Sequence, residues 1–564
     1  MNTLHRIFDC RVLLAVPVAW LAWAVPATGA EAGRGPGATP PAVSAEVYER
    51  HLAALADDSF EGRKPGTAGE ERTVAYLVEQ FRKLGAVPLA GQGYVQAVPL
   101  LEIAPQPQPS LVFSTPRGSQ ATVFGEDAVV FTKRQVPQVS VTDSPLVFVG
   151  HGVVAPESGW NDYAGVDMKG KTALILINDP GFATGDEALF RGRALTYYGR
   201  WTYKFEEAAR QGAAAALIVH ETEPAAYGWA TVVNSWANPQ LDMQVADGRA
   251  GRVAIEGWIT RERAVALLAT AGQDFEALKT AASTRGFKAV PLDVRASAAV
   301  RNAMQKSDSS NVIAAIRGSQ RPDEYVFYMA HWDHLGRTQG GEGDQTFNGA
   351  VDNATGVAGL LAIADAYRRA PQGPARTVVF LAVTAEEQGL LGSEYYVAHP
   401  LVPLAQTVAV LNMDALYFGG RTRDVRVVGA GASELERYLN EEAARRGITP
   451  MPESQPEKGH FYRSDHFNFA HAGVPALYLK TGIDDLDGGI AAGEAREAGY
   501  VAQRYHQVGD NYTPGVQLGA GLEIVDLLRA IGARLASEST FPNWNVGNEF
   551  RAARDRSRGA EGAL

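Results

Sequence analysis

The chain has 564 residues, of which 46% are hydrophobic and 20% are charged, and its formal net charge is −11. This composition is typical of a globular protein and excludes a fibrous or predominantly disordered chain. The acidic balance argues against a nucleic-acid partner, because proteins that bind nucleic acids usually present a basic face. At about 150 residues per domain, the length predicts three or four structural units, or two large ones.

Residues 1–30 have the three-part pattern of a secretory signal peptide. Arg6 and Arg11 lie in the polar start, an apolar run follows over 12–25, and small residues end the segment. The run contains Pro17 and is shorter than the ~20 residues that span a bilayer, which favours a cleaved signal over a membrane anchor. We therefore predict an exported protein, periplasmic or secreted, with no stable membrane insertion after cleavage.

Cleavage after residue 30 removes Cys10, which is the only cysteine, and changes the charge to 50 minus 62, or −12. The mature protein then has no disulfide and no thiolate ligand. Any metal ion must be held by histidine and carboxylate side chains.

The mature chain begins with a glycine- and proline-rich segment, 31–43, which is predicted to be a flexible lead-in. Residues 44–110 begin with two helical stretches and end at a proline-rich boundary, and they are predicted to be the N-terminal part of the main domain. Short β-type runs between Gly- and Asp-rich turns then mark a separate module, predicted over 111–300.

Buried-type strands alternate with amphipathic helices over 301–545. Continuous apolar strands between helices predict an α/β fold, with a mostly parallel mixed sheet sandwiched by helices. The tail 546–564 is rich in arginine, glycine and alanine and is predicted to be disordered. The strands are predicted at 326–329, 378–383, 408–411 and 476–479.

Metal-binding residue types recur where the strands of this last module end. Each of these residues alone is more often a helix cap or a solvated side chain, but together they form a pattern. Ligands of open α/β sheets bind outside the carboxyl ends of the strands, so we expect these side chains to converge. The residues are His331, Asp333, Asp352, Glu386, Glu387, Asp414 and His506.

Five of these residues form a candidate ligand set: His331, Asp352, Glu387, Asp414 and His506. Two imidazoles and three carboxylates suit two metal ions if one carboxylate bridges them. Asp352 is the predicted bridge, because it lies at a helix start between the others. Two metal ions held this way generate hydroxide and polarise a carbonyl or a phosphoryl group.

Two further carboxylates are predicted to act beside the metals. Asp333 is predicted to orient His331 from behind. Glu386 is predicted to take a proton from bound water and to pass it to a leaving amine.

Six segments of this module carry a specific pattern: 330–336 (AHWDHLG), 349–356 (GAVDNATG), 384–393 (TAEEQGLLGS), 412–414 (NMD), 464–466 (SDH) and 505–506 (YH). In this order they resemble metallopeptidase family twenty-eight, the co-catalytic di-zinc aminopeptidases. The resemblance implies two Zn²⁺ ions per chain. His331 and Asp414 are implied to hold one zinc, Glu387 and His506 the other, and Asp352 to bridge them.

The same resemblance implies roles for residues that do not bind metal. Glu386 is implied to be the general base. Tyr505 is implied to help polarise the substrate carbonyl.

The stretch 55–100 also resembles this family, through 58–63 (DSFEGR) and 65–67 (PGT). The peptidase domain is therefore predicted to be discontinuous, with 111–300 inserted. The insert resembles a protease-associated (PA) domain, and an unrelated β-rich lid is the alternative.

Three other patterns have weaker functional interpretations. Residues 165–172 match the phosphate-loop pattern, but a strand is predicted after them in place of the required helix, so no nucleotide binding is expected. Asp465 and His466 are predicted to shape the substrate pocket or to pack beneath the sheet. The acidic loop 484–487 lacks the full calcium-loop spacing and is predicted to be solvated.

We interpret the chain as an exported zinc-dependent exopeptidase with peptide substrates, in the first place an aminopeptidase. A carboxypeptidase is an alternative, for which Arg463 is the candidate cation facing the substrate carboxylate. Two further alternatives are a glutaminyl cyclase-like relative with one zinc and a non-catalytic secreted binding module. Residue preference and oligomeric state stay open.

Overall fold

The computed structural model describes residues 39–561, apart from Gln92, 107–108, 339 and 341–342. The predicted signal peptide, 1–30, lies outside the described residues. Among the described residues, no helix combines the length and the apolar character needed to cross a bilayer.

Helices and strands alternate along most of the chain. The α-helices are α1 (Ala45–Leu55), α2 (Ala68–Lys83), α3 (Pro180–Thr184), α4 (Trp201–Arg210), α5 (Thr222–Ala225), α6 (Trp229–Ala237), α7 (Arg261–Thr270), α8 (Phe275–Ala282), α9 (Thr355–Arg369), α10 (Leu391–Ala398), α11 (Leu435–Ala444), α12 (His466–His471), α13 (Gly489–Gln503), α14 (Gly519–Ser537) and α15 (Arg551–Glu561).

The strands are β1 (Val87–Pro88), β2 (Val95–Pro105), β3 (Ser110–Thr115), β4 (Gly118–Ala121), β5 (Ala128–Phe131), β6 (Gln138–Phe148), β7 (Val154–Ala155), β8 (Trp160–Asn161), β9 (Thr172–Leu176), β10 (Ala215–His220), β11 (Gln240–Met243), β12 (Ile255–Thr260), β13 (Val290–Ile316), β14 (Arg321–His331), β15 (Gly336–Arg337), β16 (Thr346–Phe347), β17 (Arg376–Val383), β18 (Thr407–Asn412), β19 (Asp424–Val427), β20 (Thr449–Pro452) and β21 (Ala476–Thr481).

The main sheet has four parallel strands at its centre, in the order β17-β14-β18-β21. Antiparallel β13 and β19 flank them. All eight residues of β17 are buried, because helices cover both faces of the sheet. One face packs on α1, α9 and α14, and the other on α10 and α12. The predicted α/β class, a mostly parallel mixed sheet between helices, is confirmed.

A second sheet forms within 111–300, with β9, β10 and β12 parallel at its centre and antiparallel β5 at one side. It has its own apolar core on each face. Strand β9 follows the phosphate-loop-like segment directly, so the helix that such a loop requires is replaced by a strand.

The 27-residue strand β13 joins the two sheets. Its first half pairs with β3 and β6, and its second half pairs with β2 and β17. The predicted boundary between 300 and 301 falls inside this strand. No turn signal interrupts the strand, and the change of partner sheet is a tertiary feature that its own residues do not mark.

The prediction of a disordered tail over 546–564 is wrong for α15. Arg554 is buried and its guanidinium donates to the carbonyl oxygen of Thr407 at 2.9 Å, and Arg558 donates to that of Ala405 at 3.0 Å. These long-range contacts hold a helix whose polar composition resembles that of a disordered segment.

The end of the predicted flexible lead-in also contacts the main domain. The N–H of Val43 donates to Asp526 Oδ1 at 3.1 Å.

Candidate metal centre

The candidate ligands lie at the carboxyl edge of the main sheet. His331 is the last residue of β14, Glu387 follows β17 and Asp414 follows β18. Asp352 lies in an irregular turn just before α9, and His506 lies just after α13. Because β14, β17 and β18 are parallel, the residues after them meet at one edge, as predicted.

Two donor sets form around Asp352. His331 Nε2 lies 3.3 Å from Asp352 Oδ1 and 3.3 Å from Asp414 Oδ1. His506 Nε2 lies 3.3 Å from Asp352 Oδ2 and 3.0 Å from Glu387 Oε2. The two carboxylate oxygens of Asp352 therefore face different histidines, which is the arrangement of a bridging ligand.

These separations fit zinc. Two donors bound ~2 Å from one zinc ion at the tetrahedral angle lie roughly 3.3 Å apart. Imidazole nitrogens and carboxylate oxygens are ligands that zinc accepts. Among the described residues, no lysine or arginine forms an ion pair with Asp352, Glu387 or Asp414, so their charges are left for a cation to neutralise.

The electrostatics of the site attract positive charge. Burial lowers the pKa of His331, but the charge of Glu386 and the contacts with Asp352 and Asp414 outweigh burial and leave this pKa well above its usual value. The contacts with Asp352 and Glu387 likewise raise the pKa of His506 to about 10, against the effect of burial. A bound metal ion takes the place of these protons.

Glu386 lies beside the first donor set, with a carboxylate oxygen within 4.8 Å of ligand atoms of His331 and Glu387. Burial raises the pKa of Glu386 well above its usual value, and Asp414 and Glu387 raise it further, while His331 opposes them. Because burial destabilises its charged form, this carboxylate is suited to take up a proton.

Asp333 makes a different contact from the predicted one. His331 Nδ1 lies 3.1 Å from the backbone oxygen of Asp333 but 3.7 Å from its carboxylate. The carboxylate instead accepts hydrogen bonds from the backbone N–H groups of Glu386 at 3.1 Å and Glu387 at 3.3 Å. Asp333 therefore holds His331 through its main chain and the two glutamates through its side chain.

Tyr505 lies at the outer side of the site. Its side chain is 46% exposed, and its ring stacks on the His506 ring with 3.9 Å between the centroids. Tyr505 is therefore a partly exposed residue that lies directly against the ligand His506.

His334 belongs to the site although it was not among the predicted site residues. Its Nδ1 lies 2.6 Å from Glu387 Oε1, and it forms a third donor group with Asp352 and Glu387. Its position three residues after His331 was the available signal, but a histidine beside a turn does not indicate which way its ring points.

Asp510 is a second residue that sequence reasoning missed. It is fully buried, and its carboxylate accepts hydrogen bonds from the N–H groups of Val351 and Asp352 at 3.1 Å. It therefore fixes the turn that presents Asp352. Its place four residues after His506 in the chain is the only signal that the sequence offers.

Arg63 is a third residue that sequence reasoning missed, and its side chain lies buried behind the donor sets. Its guanidinium donates to the backbone oxygens of Leu55, Trp332, Asn348 and Gly349, at 2.6 to 3.0 Å. The preceding Gly62 has φ +64°, and a Cβ there would lie 2.3 Å from Gly336 O, so only glycine allows this approach.

We expect Arg63→Met to lower the free energy of unfolding by about 3 kcal/mol, because four buried carbonyl groups lose their donor. Arg72→Met is the control, since Arg72 is exposed and its ion pair with Glu61 should contribute less than about 1 kcal/mol. Urea unfolding of the two variants measures the difference. Equal losses for both would contradict the role given to Arg63.

Asp465 and His466 pack beneath the sheet edge. Both are buried, and Ser393 Oγ donates to Asp465 Oδ1 at 2.5 Å. In the acidic loop 484–487, Asp484 pairs with Arg423 and Asp485 with Arg496, each at 3.0 Å. The prediction of a solvated loop is therefore wrong for Asp485, which is buried and accepts the N–H groups of Asp487 and Gly488 at 2.9 and 3.1 Å.

Comparison with known proteins shows a similarity to one family of peptidases. Residues 311–529 match the model of Peptidase family M28. The chain is 34% identical over 128 residues to Aminopeptidase NAALADL1 of Mus musculus, a match covering 22% of this chain and 16% of that protein. It is 27% identical over 480 residues to Probable leucine aminopeptidase 2 of Aspergillus fumigatus, covering 79% and 74%.

Among solved structures, the chain resembles the aminopeptidase from Aneurinibacillus sp. strain AM-1, with 21% identity, a TM-score of 0.47 and coverage of 88% of this chain and 95% of that one. It also resembles the zinc aminopeptidase from Bacillus subtilis, with 19% identity, a TM-score of 0.40 and coverage of 88% and 95%.

The mostly parallel α/β sheet and the donors at its carboxyl edge define a metal-binding α/β protein. Over residues 311–529 the chain is similar to Peptidase family M28. The match to NAALADL1 spans only about a sixth of that relative's length.

Proposed function

We propose that this protein is an exported zinc-dependent aminopeptidase, which hydrolyses N-terminal residues from peptides with two zinc ions per chain. The observation that carries this proposal is the division of the two Asp352 oxygens between two histidine–carboxylate sets. His331, Asp352 and Asp414 would hold one ion, and Asp352, Glu387 and His506 the other. Export rests on the signal-type pattern of 1–30.

When bound, two zinc ions polarise a substrate carbonyl and lower the pKa of water. Glu386 accepts the proton of the attacking water at its carboxylate and transfers it to the departing amine. The position of Glu386 supports this role, because its carboxylate lies within 4.8 Å of ligand atoms of His331 and Glu387.

Two neighbours support the reaction geometry. Asp333 holds the backbone of Glu386 and Glu387, so the base stays beside the ligands. Tyr505 lies against His506, and its hydroxyl can donate to the carbonyl oxygen as negative charge develops on that oxygen.

The test is a panel of aminoacyl-4-nitroanilides and their N-acetylated forms, each assayed with and without a chelator. We expect hydrolysis of the free-amine substrates, a loss of at least ~100-fold on chelation because the metal ions polarise the substrate carbonyl and activate the water, and recovery with added zinc. Activity on N-acetylated substrates only would contradict the aminopeptidase. A metal content of one ion per chain, with ammonia released, would instead favour a cyclase.

A further inference from the structure

His334 is a buried histidine to which the proposed reaction gives no role. Its side chain is fully buried, and its Nδ1 lies 2.6 Å from Glu387 Oε1. Within the described residues, its Nε2 has no hydrogen-bond partner. A histidine so close to a candidate ligand is either a further metal ligand or a support for the carboxylate, and the two alternatives predict different distances.

The distance favours a direct hydrogen bond over a shared metal ion. Two donors on one zinc ion lie roughly 3.3 Å apart, because each is ~2 Å from the ion. His506 Nε2 shows such separations, at 3.3 Å from Asp352 Oδ2 and 3.0 Å from Glu387 Oε2. At 2.6 Å, His334 Nδ1 and Glu387 Oε1 are too close to share an ion and have the separation of a short hydrogen bond to a carboxylate.

This hydrogen bond divides the two oxygens of Glu387. An ionised carboxylate only accepts hydrogen bonds, so the hydrogen lies on His334 Nδ1. The bond occupies Oε1 and leaves Oε2, which faces His506, for a metal ion. The second donor set then consists of Asp352 Oδ2, Glu387 Oε2 and His506 Nε2. Three protein donors are typical of a catalytic zinc site, in which a fourth position is kept open, and a fourth protein donor would close the site.

The surrounding backbone holds the ring of His334 in this place. The N–H of His334 donates to the carbonyl oxygen of Arg63 at 3.3 Å. Gly349 has φ +51°, and a Cβ there would lie 2.6 Å from the ring atoms Cγ and Cδ2 of His334. Only a glycine at position 349 therefore leaves room for the ring.

The short segment 331–334 thus supports Glu387 in two ways. The carboxylate of Asp333 accepts the backbone N–H of Glu387 at 3.3 Å. His334, the next residue, contacts the Glu387 side chain. Both the main chain and the side chain of Glu387 are fixed by neighbours of the ligand His331.

We propose that His334 is a positioning residue for Glu387, whose Oε1 it holds through Nδ1–H so that Glu387 offers a metal ion one oxygen. The proposal rests on the two-zinc site of the proposed function. His334 itself does not bind the ion. A hydrogen bond of this kind behind a ligand contributes about 10- to 100-fold to metal affinity.

Zinc binding to the metal-free protein, measured by competition with a chelator of known affinity, tests this role without an assay of hydrolysis. His334→Leu has a similar size but no donor, and it should weaken the binding of one zinc ion by about 10- to 100-fold. His334→Asn should stay within about threefold of the wild type, because its amide can place an N–H where Nδ1 lies.

His220→Leu is the matched control. His220 is a buried histidine of the insert, and its Nε2 lies 3.0 Å from the carbonyl oxygen of Tyr227. This variant should bind zinc as the wild type does. If His334→Leu does not fold, as judged by circular dichroism, His334→Ala takes its place with the same expected loss.

The two His334 variants separate the alternatives. Wild-type affinity of His334→Leu for every bound ion overturns the proposal. An equal loss in His334→Leu and His334→Asn also overturns it, because an amide does not replace a ligating imidazole and His334 would then be a ligand.

Cleavage of Leu-4-nitroanilide by the wild type is a separate result. A wild type that binds two zinc ions but cleaves no substrate contradicts the aminopeptidase, and the zinc affinities still decide on His334. A wild type that binds no zinc overturns both proposals.

Discussion

Glu386→Gln should lower kcat by roughly 10²- to 10⁴-fold while both metal ions stay bound. The amide keeps the size of the side chain but cannot accept a proton from the attacking water. Glu386 is not part of either donor set around Asp352, so the metal affinity should change little. Hydrolysis of Leu-4-nitroanilide and metal analysis of the dialysed protein measure the two quantities.

Glu494→Gln is the matched control for this variant. Glu494 is exposed on α13, near the site in the chain, and makes no hydrogen bond or ion pair in the described structure. It should keep wild-type kcat. If Glu386→Gln retained full activity with two metal ions bound, another group would have to be the base.

Asp352→Asn should remove activity by more than about 10³-fold and reduce the metal content below two per chain, because metal-ion catalysis contributes several kcal/mol to the transition state. An amide presents one oxygen and one NH₂ group, so it cannot offer a negatively charged oxygen to each of the two histidine sets. Metal analysis and the hydrolysis assay test both effects.

The same variant should respond differently to chelation. Removing metal from the wild type takes away the ions that stabilise its folded state, so its Tm should fall. Because Asp352→Asn should bind fewer ions, chelation should lower its Tm by less. Asp323→Asn, at an exposed aspartate on β14, should behave as the wild type in both conditions. A chelation response in Asp352→Asn as large as in the wild type would contradict the bridging role.

The convergence of the donor sets could be predicted because it depends on local patterns. Continuous apolar runs identified β14, β17 and β18 as parallel, buried strands, and parallel strands bring the residues after them to one edge. The strand pattern therefore predicts that His331 and Asp414 lie at this edge.

The contacts behind the ligands could not be predicted. Arg63 contacts Gly349, which lies 286 residues later in the chain, and Asp510 contacts Asp352, which lies 158 residues earlier. No local periodicity marks either contact, because a turn residue can point inward or outward with the same backbone. The helix α15 was missed for a similar reason, since its partners, such as Thr407, lie far away in the chain.

By itself the sequence determined the available chemistry: with Cys10 in the predicted signal, only nitrogen and oxygen donors remain, and the strand pattern orders them along one edge. Only the tertiary structure decided that the two oxygens of Asp352 face different histidines. The physical reason is that side-chain type and periodicity are local properties of the chain. Distances of 3 Å between groups hundreds of residues apart depend on how whole sheets and helices pack.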